Sequence, residues 1–407
     1  MKYVIVLGDG MADYPIPQLD NKTPLQYARK PNIDFLAQHG KVGIVQTIPE
    51  GIPPGSDSAN LSVMGYNPRV YYTGRSPLEA VSMGIELSDS DVAIRCNLVT
   101  LSEEENYRDK VMLDHSSDEI TSEEAKILIE EINSHFKTAD LNYYPGVSYR
   151  HCLIWKNGLI NLNLTPPHDV LDKKVTDYLP QGEDNKILLN MMVESSKFLK
   201  DHPVNKARTK RGLRPANSIW LWGEGKKPAL ASFYDKYHLN GSVVSAVDLI
   251  KGIGICAGLK SVEVEGATGN TQTNFSGKVE AVLKELESGQ DFVYLHIEAP
   301  DECGHHAEID NKVRSIELID EKIVSILLKE MEKYDDYRLL ILPDHPTPIA
   351  LRTHTTEPVP FLLYQKTAGM ESGLSGYDEF QAKETGLFFK EGYSLMDYFL
   401  MDYFIKN

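Results

Sequence analysis

Residues 4–10 read VIVLGDG, a short and almost wholly apolar run that leads directly to an aspartate. Two later stretches have the same form, FVYLHIEAPD from Phe292 and LLILPDH from Leu339. A continuously apolar run of strand length is typical of a strand buried on both faces, as in parallel sheets covered by helices. Ligands of open α/β sheets bind beyond the carboxyl ends of such strands. The sequence therefore predicts that Asp9, Asp301 and Asp344 converge at one edge of a mainly parallel sheet.

The segments between these runs predict the rest of the architecture. Helical patterns in residues 28–38, 279–287 and 313–332 alternate with the strands, which indicates a doubly wound α/β fold. Between about residues 91 and 215 the pattern changes to alternating strand-like stretches, an acidic helix and loops rich in Pro, Asn and Asp. We expect an inserted, smaller α+β domain at 91–215, within a core formed by 1–90 and 216–407.

Composition limits the classes of function. The chain has 407 residues, of which 42% are hydrophobic and 25% charged, as in soluble globular proteins. Its 42 basic and 59 acidic residues give a net charge of −17, which disfavours nucleic acid and anionic membranes as partners. The four cysteines lie far apart, so neither a disulfide framework nor a thiolate zinc site is predicted, and a cytoplasmic location is the simplest expectation. No apolar run approaches the roughly 18 residues of a membrane span, and we expect neither a signal peptide nor an anchor.

Histidines accompany two of the strand-end aspartates at ligand spacing. An aspartate and a histidine four residues apart lie on one side of a helical turn, and carboxylate with imidazole suits zinc or manganese. Six ligands are too many for one tetrahedral ion and suit two ions, which can clamp the attacking and leaving oxygens of a phosphoryl transfer. A single aspartate after a strand is more often a helix cap or a turn residue, so the prediction rests on the joint pattern. The candidate ligands are Asp9, Asp301, His305, Asp344, His345 and His354, with His306 as a less well spaced alternative to His305.

Residues 52–68, IPPGSDSANLSVMGYNP, contain a candidate nucleophile. The Pro-Pro-Gly sequence forces a turn and a helical pattern follows, so Ser56 is predicted at or just before a helix N-terminus, where backbone N–H groups favour a phosphate or an alkoxide. A serine hydroxyl is a weak nucleophile near neutral pH, and coordination to a divalent metal activates it. The alternatives are that this serine only caps the helix, or that Ser58 is the nucleophile.

Over nearly its whole length the chain resembles the cofactor-independent phosphoglycerate mutases of the archaeal type, members of the alkaline phosphatase superfamily. The resemblance is carried by VLGDGMAD, NKTPLQYARKPNIDFLAQHG, PPGSDSANLSVMGYNP, GATGNTQTNFSGK, HIEAPDECGHHAE, LPDH and THTTEPVPF. It implies an alkaline-phosphatase type of fold and two divalent metal ions per chain, Mn²⁺ or Zn²⁺, with Mg²⁺ and Co²⁺ as alternatives. It implies that Asp9, Asp344 and His345 bind one ion together with Ser56, which favours Ser56 over Ser58. It assigns Asp301, His305 and His354 to the other ion.

The resemblance also implies the reaction. Ser56 would take the phosphoryl group from 3-phosphoglycerate, a small anionic substrate of glycolysis and gluconeogenesis, and return it to the 2-hydroxyl group without bisphosphoglycerate. Such a substrate needs cations, and arginine forks suit both carboxylate and phosphate. The candidates, each of which is alternatively a surface or ion-pairing side chain, are Arg95, Arg150, His151, Lys206, Arg208, Arg214 and Lys251.

One segment departs from the mutase pattern. Residues 221–225 read LWGEG, with Leu221 and Trp222 where the resemblance leads us to expect an arginine. The departure leaves open a phosphotransferase that acts on another small hydroxy acid such as homoserine. A phosphatase or sulfatase would share the core, but PGSDSAN does not match the Cys/Ser-x-Pro-x-Arg setting of sulfatases. A non-enzymatic protein with closed structural metal sites is the alternative from another class.

Overall fold

The structure is a computed structural model that describes residues 1–401. The strands are β1 (Lys2–Gly8), β2 (Lys41–Val45), β3 (Val92–Leu101), β4 (Met112–Asp114), β5 (Leu141–Tyr144), β6 (Arg150–Trp155), β7 (Ser218–Lys226), β8 (Gly241–Val244), β9 (Lys260–Val262), β10 (Phe292–Ile297), β11 (Tyr337–Leu342), β12 (Val359–Gln365) and β13 (Phe388–Phe389). The α-helices are α1 (Pro24–Tyr27), α2 (Pro31–Gln38), α3 (Ser56–Val63), α4 (Pro68–Tyr71), α5 (Ser76–Ser82), α6 (Ser122–Phe136), α7 (Lys186–Leu199), α8 (Pro203–Lys210), α9 (Phe233–Tyr237), α10 (Asp248–Cys256), α11 (Phe275–Glu287), α12 (Ala299–His306), α13 (Ile309–Ile319), α14 (Ser325–Glu330), α15 (Glu379–Glu384) and α16 (Ser394–Leu400).

The larger sheet has eight strands in the order β13-β2-β12-β11-β1-β10-β8-β9. Strand β1 pairs in parallel with both β10 and β11, and β12 is antiparallel to β11 and to β2. The predicted mainly parallel α/β sheet is therefore confirmed. In the register, Leu7 lies opposite His296 on one side and Leu342 on the other, so the three central strands end level with one another. The residues that follow these strands meet at one edge of the sheet.

The apolar runs that predicted the strands form the centre of the core. Side chains from Val4 to Leu7 in β1 have no exposed surface, and β10 and β11 are buried along their whole length. Helices α2, α11 and α13 contribute apolar side chains to the same cluster, among them Leu36, Val282 and Ile316. Burial of this apolar surface on both faces is the main stabilising contribution to the sheet.

The chain divides into two compact units. The first comprises 1–72 and 229–407, and the second comprises 73–228. In the second unit the strands follow the order β4-β3-β6-β5, and β7 pairs with β3 along nearly its whole length. The limits expected from the sequence, 91 and 215, fall inside this unit because β7 hydrogen-bonds to β3 and because α5 contacts both strands. A substrate-binding role for the second unit stays a prediction.

The helix predicted over residues 313–332 is not continuous. Between α13 and α14 the chain forms a π-helical turn, Asp320–Val324. This turn carries the Asp320 carboxylate to the start of α2, where it accepts hydrogen bonds from the Ile33 N–H at 2.7 Å and the Asn32 side chain at 2.8 Å. The wider turn thus satisfies the N–H groups of a neighbouring helix, a tertiary contact that helical periodicity does not encode.

Two negative expectations concern the described part of the chain. Across residues 1–401 the cysteines form no disulfide bond. Within the same range no helix combines the length and the apolar character that a membrane crossing requires. A cytoplasmic location stays a prediction.

A buried ion pair joins α13 to the loops that follow β1 and β11. The Lys312 ammonium donates to Asp13 Oδ2 at 2.7 Å and to the Thr347 carbonyl oxygen at 2.8 Å. Asp13 Oδ2 also accepts from the Ile349 N–H at 3.1 Å. Burial lowers the pKa of Lys312, and the Asp13 charge opposes this shift. The pair therefore fixes two loops beyond the carboxyl edge of the sheet.

Lys312→Met should cost about 3–5 kcal/mol in the free energy of unfolding, because it leaves the Asp13 carboxylate buried without its cation. Calorimetric unfolding of the purified protein measures the loss. Lys333→Met is the matched control, since Lys333 pairs with Glu287 on the surface and its side chain is 42% exposed. The control should unfold like the wild type. Equal loss in both variants would contradict the role assigned to the buried pair.

Candidate active site

Two groups of ligand-type side chains lie at the carboxyl edge of the sheet. In each group, one nitrogen or oxygen atom per residue lies within 4.8 Å of the corresponding atoms of the others. The first ligand group is Asp9, Asp344 and His345, and the second ligand group is Asp301, His305 and His354. The six residues predicted from the sequence are thus brought together in two sets of three. Their role as metal ligands stays a prediction.

The first ligand group is buried and negatively charged. The Nε2 atom of His345 lies 3.5 Å from Asp9 Oδ1 and 3.4 Å from Asp344 Oδ2. Asp9 Oδ1 is buried and has no hydrogen-bond partner among the residues that the structure describes. Burial raises the pKa of Asp9 well above its ordinary value, and the negative charges of Asp344 and Asp301 raise it further. A divalent cation bound to these atoms would offset both effects, so the donor set fits a metal ion.

The second ligand group combines Asp301 in the first turn of α12, His305 in its last turn and His354 from the loop between β11 and β12. His305 Nε2 lies 3.2 Å from Asp301 Oδ2, and His354 Nε2 lies 3.3 Å from Asp301 Oδ1 and 2.9 Å from His305 Nε2. Burial would raise the pKa of Asp301, but hydrogen bonds from the two histidines hold it well below its usual range. The hydrogen bond to Asp301 raises the pKa of His305 to about 9. In the metal-free protein a proton therefore supplies the positive charge among these atoms that a metal ion can replace.

The orientation of His305 also fits metal binding. Its Nδ1 atom lies 3.0 Å from the carbonyl oxygen of Arg352, to which only an N–H group can donate. Arg352 has a left-handed backbone, φ 56°, that presents this carbonyl. His306, the alternative ligand, has a side chain that is 60% exposed and lies outside the group. The geometry favours His305, as the sequence spacing did.

Ser56 is the first residue of α3 and follows Gly55. Its Oγ atom lies 3.1 Å from His345 Nε2 and therefore reaches the first ligand group. The Ser58 hydroxyl is fully buried and donates to the backbone carbonyl of Gly55 at 3.1 Å. Ser56 is half-buried and sits at the helix N-terminus, so the geometry favours Ser56 over Ser58 as the nucleophile.

Sequence analysis missed the side chains behind these groups. Asn60 donates to Asp344 Oδ2 and to the Ser56 carbonyl, both at 2.8 Å, and accepts from the Tyr294 hydroxyl at 2.6 Å. His296 Nε2 lies 3.0 Å from Asp9 Oδ2. Burial lowers the pKa of His296 to about 3, so the ring is neutral and donates this hydrogen bond. The sequence feature that could have identified Tyr294 and His296 is their alternate spacing as polar side chains in an otherwise apolar buried strand.

Most of the predicted substrate-binding cations are already paired. Arg95 forms a fork with Glu79 and lies 4.5 Å from the ring of Trp222, and Arg214 is 3.3 Å from Asp114. The two lysines are also paired, Lys206 with Asp201 at 3.4 Å and Lys251 with Glu263 at 2.8 Å.

The structure does not support Arg208 as a substrate-binding residue. It is 1% exposed and donates to Glu124 and to the carbonyl oxygens of Ser117 and Arg214. Ser117, Asp118 and Glu119 are three consecutive residues with positive φ, an unfavourable backbone that such contacts stabilise. Arg208 therefore supports a turn of the second unit, and its burial disfavours a direct contact with substrate.

Arg150 and His151 differ from these residues. Arg150 is exposed, lies 5.1 Å from the Tyr149 ring, and has no carboxylate partner within residues 1–401. His151 is buried, and its Nδ1 accepts from the Gly146 N–H at 3.0 Å. Burial lowers the pKa of His151 to about 3, so it is neutral and does not supply the positive charge that was predicted.

Comparison with known proteins identifies similar sequences of one enzyme family. The profile of the 2,3-bisphosphoglycerate-independent phosphoglycerate mutase family matches residues 37–205. A probable 2,3-bisphosphoglycerate-independent phosphoglycerate mutase of Geobacter sulfurreducens is 49% identical, over 98% of this chain and 100% of the relative. A mutase of the same name from Methanothrix thermoacetophila is 48% identical, over 97% of this chain and 98% of the relative.

Two solved structures have the same fold as this chain. A protein from Pyrococcus horikoshii is 29% identical, with a TM-score of 0.81 over 98% of this chain and 96% of that chain. A cofactor-independent phosphoglycerate mutase from Thermoplasma acidophilum is 27% identical, with a TM-score of 0.68 over 98% of this chain and 99% of that chain. The chain therefore belongs to the family of 2,3-bisphosphoglycerate-independent phosphoglycerate mutases.

The neutral state of His151 predicts a pH dependence of stability. Its folded pKa of about 3 lies below the ordinary value of 6.5, so the unfolded chain takes up the proton first as the pH falls. The free energy of unfolding should therefore decrease from about pH 6.5 downwards, by about 2 kcal/mol at pH 5. His151→Asn keeps an acceptor near the Nδ1 position and should lack this decrease.

Tryptophan fluorescence during urea unfolding reports on the second unit, because all three tryptophans, Trp155, Trp220 and Trp222, lie in it. At pH 7.5 both proteins hold residue 151 neutral, so their difference there measures packing alone. Parallel pH profiles for the two proteins would rule out a neutral buried His151.

Proposed function

We propose that the protein interconverts 3-phosphoglycerate and 2-phosphoglycerate through a phosphoserine at Ser56, without bisphosphoglycerate. The observation that carries the proposal is the 3.1 Å contact of Ser56 Oγ, at a helix N-terminus, with His345 Nε2 of the first ligand group. The names of relatives that match almost the whole chain support the same reaction. The substrate is a small phosphorylated acid.

We propose that the first ligand group, together with Ser56, holds one divalent ion and that the second ligand group holds another. Carboxylate and imidazole donors suit Mn²⁺ or Zn²⁺, and Mg²⁺ and Co²⁺ are alternatives. When bound, such ions stabilise the charge on a phosphoryl group in transfer and lower the pKa of a coordinated hydroxyl. The orphaned Asp9 Oδ1 and the raised pKa of Asp9 support a cation at the first group.

The chain's own groups account for the two transfers. In the first, the Ser56 hydroxyl loses its proton and its oxygen forms a bond to phosphorus, while the bond from phosphorus to the 3-oxygen of glycerate breaks and that oxygen takes up a proton. In the second, the 2-hydroxyl of glycerate loses a proton and attacks the same phosphorus, while the bond from phosphorus to Ser56 breaks and the Ser56 oxygen takes up a proton. Protons and phosphoryl groups balance over the cycle, so no second phosphorylated compound is needed. Asn60 keeps the Ser56 carbonyl fixed relative to Asp344 throughout.

Glycerate must stay bound between the transfers, and we propose that the second unit binds its carboxylate through Arg150. Arg150 combines exposure with the absence of a carboxylate partner in the described range, whereas Arg95 and Arg208 already bind glutamates. An arginine fork suits a carboxylate geometrically. Transfer to a separate acceptor such as homoserine is not favoured, because the relatives are named as mutases.

Metal analysis tests the two groups separately. We expect the wild type to bind two divalent ions per chain and His305→Ala to keep about one, since His305 is not a member of the first ligand group. Asp344→Asn should keep only the ion of the second group. His306→Ala, next in sequence but outside the group, is the matched control and should keep both. Loss of both ions from His305→Ala, or of none, would contradict the assignment.

Turnover tests the nucleophile. Wild-type protein with Mn²⁺ and 3-phosphoglycerate alone should form 2-phosphoglycerate, followed by ³¹P NMR, and mass spectrometry should find phosphate on Ser56. Ser56→Ala should lower the rate by about 10⁴-fold or more while keeping its fold, because no other hydroxyl replaces the intermediate. Ser58→Ala, which removes the neighbouring buried hydroxyl, should keep most activity. Formation of phosphohomoserine from ATP and homoserine, with no 2-phosphoglycerate, would overturn the proposed reaction.

A further inference from the structure

Thr347 contacts both ligand groups. It lies two residues after His345 and has no exposed surface. Its Oγ1 atom is 2.5 Å from Asp301 Oδ1, in the second ligand group, and 3.2 Å from His345 Nδ1, in the first ligand group. A single hydroxyl thus hydrogen-bonds to one member of each group.

Chemistry fixes the direction of the two hydrogen bonds. A carboxylate only accepts, so the Thr347 hydroxyl donates its one proton to Asp301. Its oxygen is then left to accept, which requires a proton on His345 Nδ1. The opposite nitrogen, Nε2, consequently carries a lone pair, and it is this atom that faces Asp9, Asp344 and Ser56. Thr347 therefore sets the tautomer in which His345 can bind a metal ion.

The backbone around Thr347 holds this hydroxyl in place. Its N–H donates to the Ala12 carbonyl at 3.2 Å, and its carbonyl accepts from the buried Lys312 ammonium at 2.8 Å. Two glycines leave the space that the residue needs. A Cβ atom on Gly10 would lie 2.6 Å from the Thr347 hydroxyl, and one on Gly304 would lie 2.5 Å from the Thr347 carbonyl oxygen. The backbone of Thr347 is thus held by two hydrogen bonds, and its side chain packs closely against the two glycines.

We propose that Thr347 is a positioning residue that couples the two metal sites through its shared hydroxyl. It orients a carboxylate of the second ligand group and sets the tautomer of an imidazole of the first, so the affinities of both groups depend on it. The inference rests on the proposed binding of metal by these groups. It differs from that proposal because it concerns a residue that is not itself a ligand.

Thr347→Val removes the hydroxyl and keeps the shape of the side chain. Calorimetric titration of metal-free protein with Mn²⁺ should show affinity reduced by about 10-fold or more at both groups, the usual cost of losing a residue that orients metal ligands. Thr347→Ser restores the hydroxyl and should return both affinities to near the wild-type values. Thr100→Val is the matched control, since Thr100 is also buried and donates to a backbone carbonyl at 2.9 Å, but lies in the second unit. It should leave metal affinity unchanged.

The outcomes separate this inference from the proposed function. If the wild type binds no divalent ion, the metal-dependent function fails. If the wild type binds two ions and Thr347→Val binds them equally well, or weakens only one group, the coupling by Thr347 is wrong. A second measurement uses only the wild-type protein and so does not depend on how a variant folds. ¹⁵N NMR of the zinc-loaded wild type should find His345 protonated at Nδ1 and unprotonated at Nε2. The opposite tautomer would overturn the inference.

Discussion

Repulsion among three carboxylates at the carboxyl edge of one buried sheet is the constraint on which the site depends. The parallel strands β10, β1 and β11 end level, and Asp9, Asp301 and Asp344 follow them into an environment with little solvent. Burial and mutual repulsion both raise the pKa of Asp9. Burying several carboxylates together costs free energy, which the stability of the fold and nearby positive charge must offset.

The neighbours of Asp9 and Asp344 hydrogen-bond to these two carboxylates without neutralising them. Asp9 accepts from a neutral histidine, His296, and Asp344 accepts from the Asn60 amide and from the backbone N–H groups of Gly10 and His345. Lys312, the buried cation near the same loops, forms its own ion pair with Asp13. Neutral donors fix the oxygens in place and leave their charge available. This is how a protein prepares a cation site, since an ammonium in contact with the same oxygens would compete with the metal.

The sequence predicted those parts of the structure that depend on local order. A strand followed by an aspartate gives the edge of the sheet, and four-residue spacing gives Asp301 and His305 on one helical turn. Contacts between distant segments left weaker signals. Arg208 reads as a free cation in the sequence, but its partner Glu124 lies 84 positions away. No sequence motif marks Thr347, because its role depends on a hydrogen bond to Asp301, which lies 46 positions away. Helical periodicity did not predict the π-helical turn at Asp320 for the same reason: the Asp320 carboxylate hydrogen-bonds to a distant helix that begins at Pro31.

The charge of the site bears on how an acidic protein attracts an anionic substrate. With a net charge of −17, the chain as a whole repels a phosphorylated acid, but at physiological ionic strength this field is screened beyond about 8 Å. Local charge then decides: Asp9, Asp301 and Asp344 supply three carboxyl groups, and before any ion binds a proton on His305 offsets part of their negative charge. Two divalent ions would contribute +4, and +4 − 3 gives a site of net +1 against which a phosphate can bind. With both proposed ions bound, the site would therefore attract the anionic substrate that its carboxylates alone repel, and we expect metal to bind before substrate.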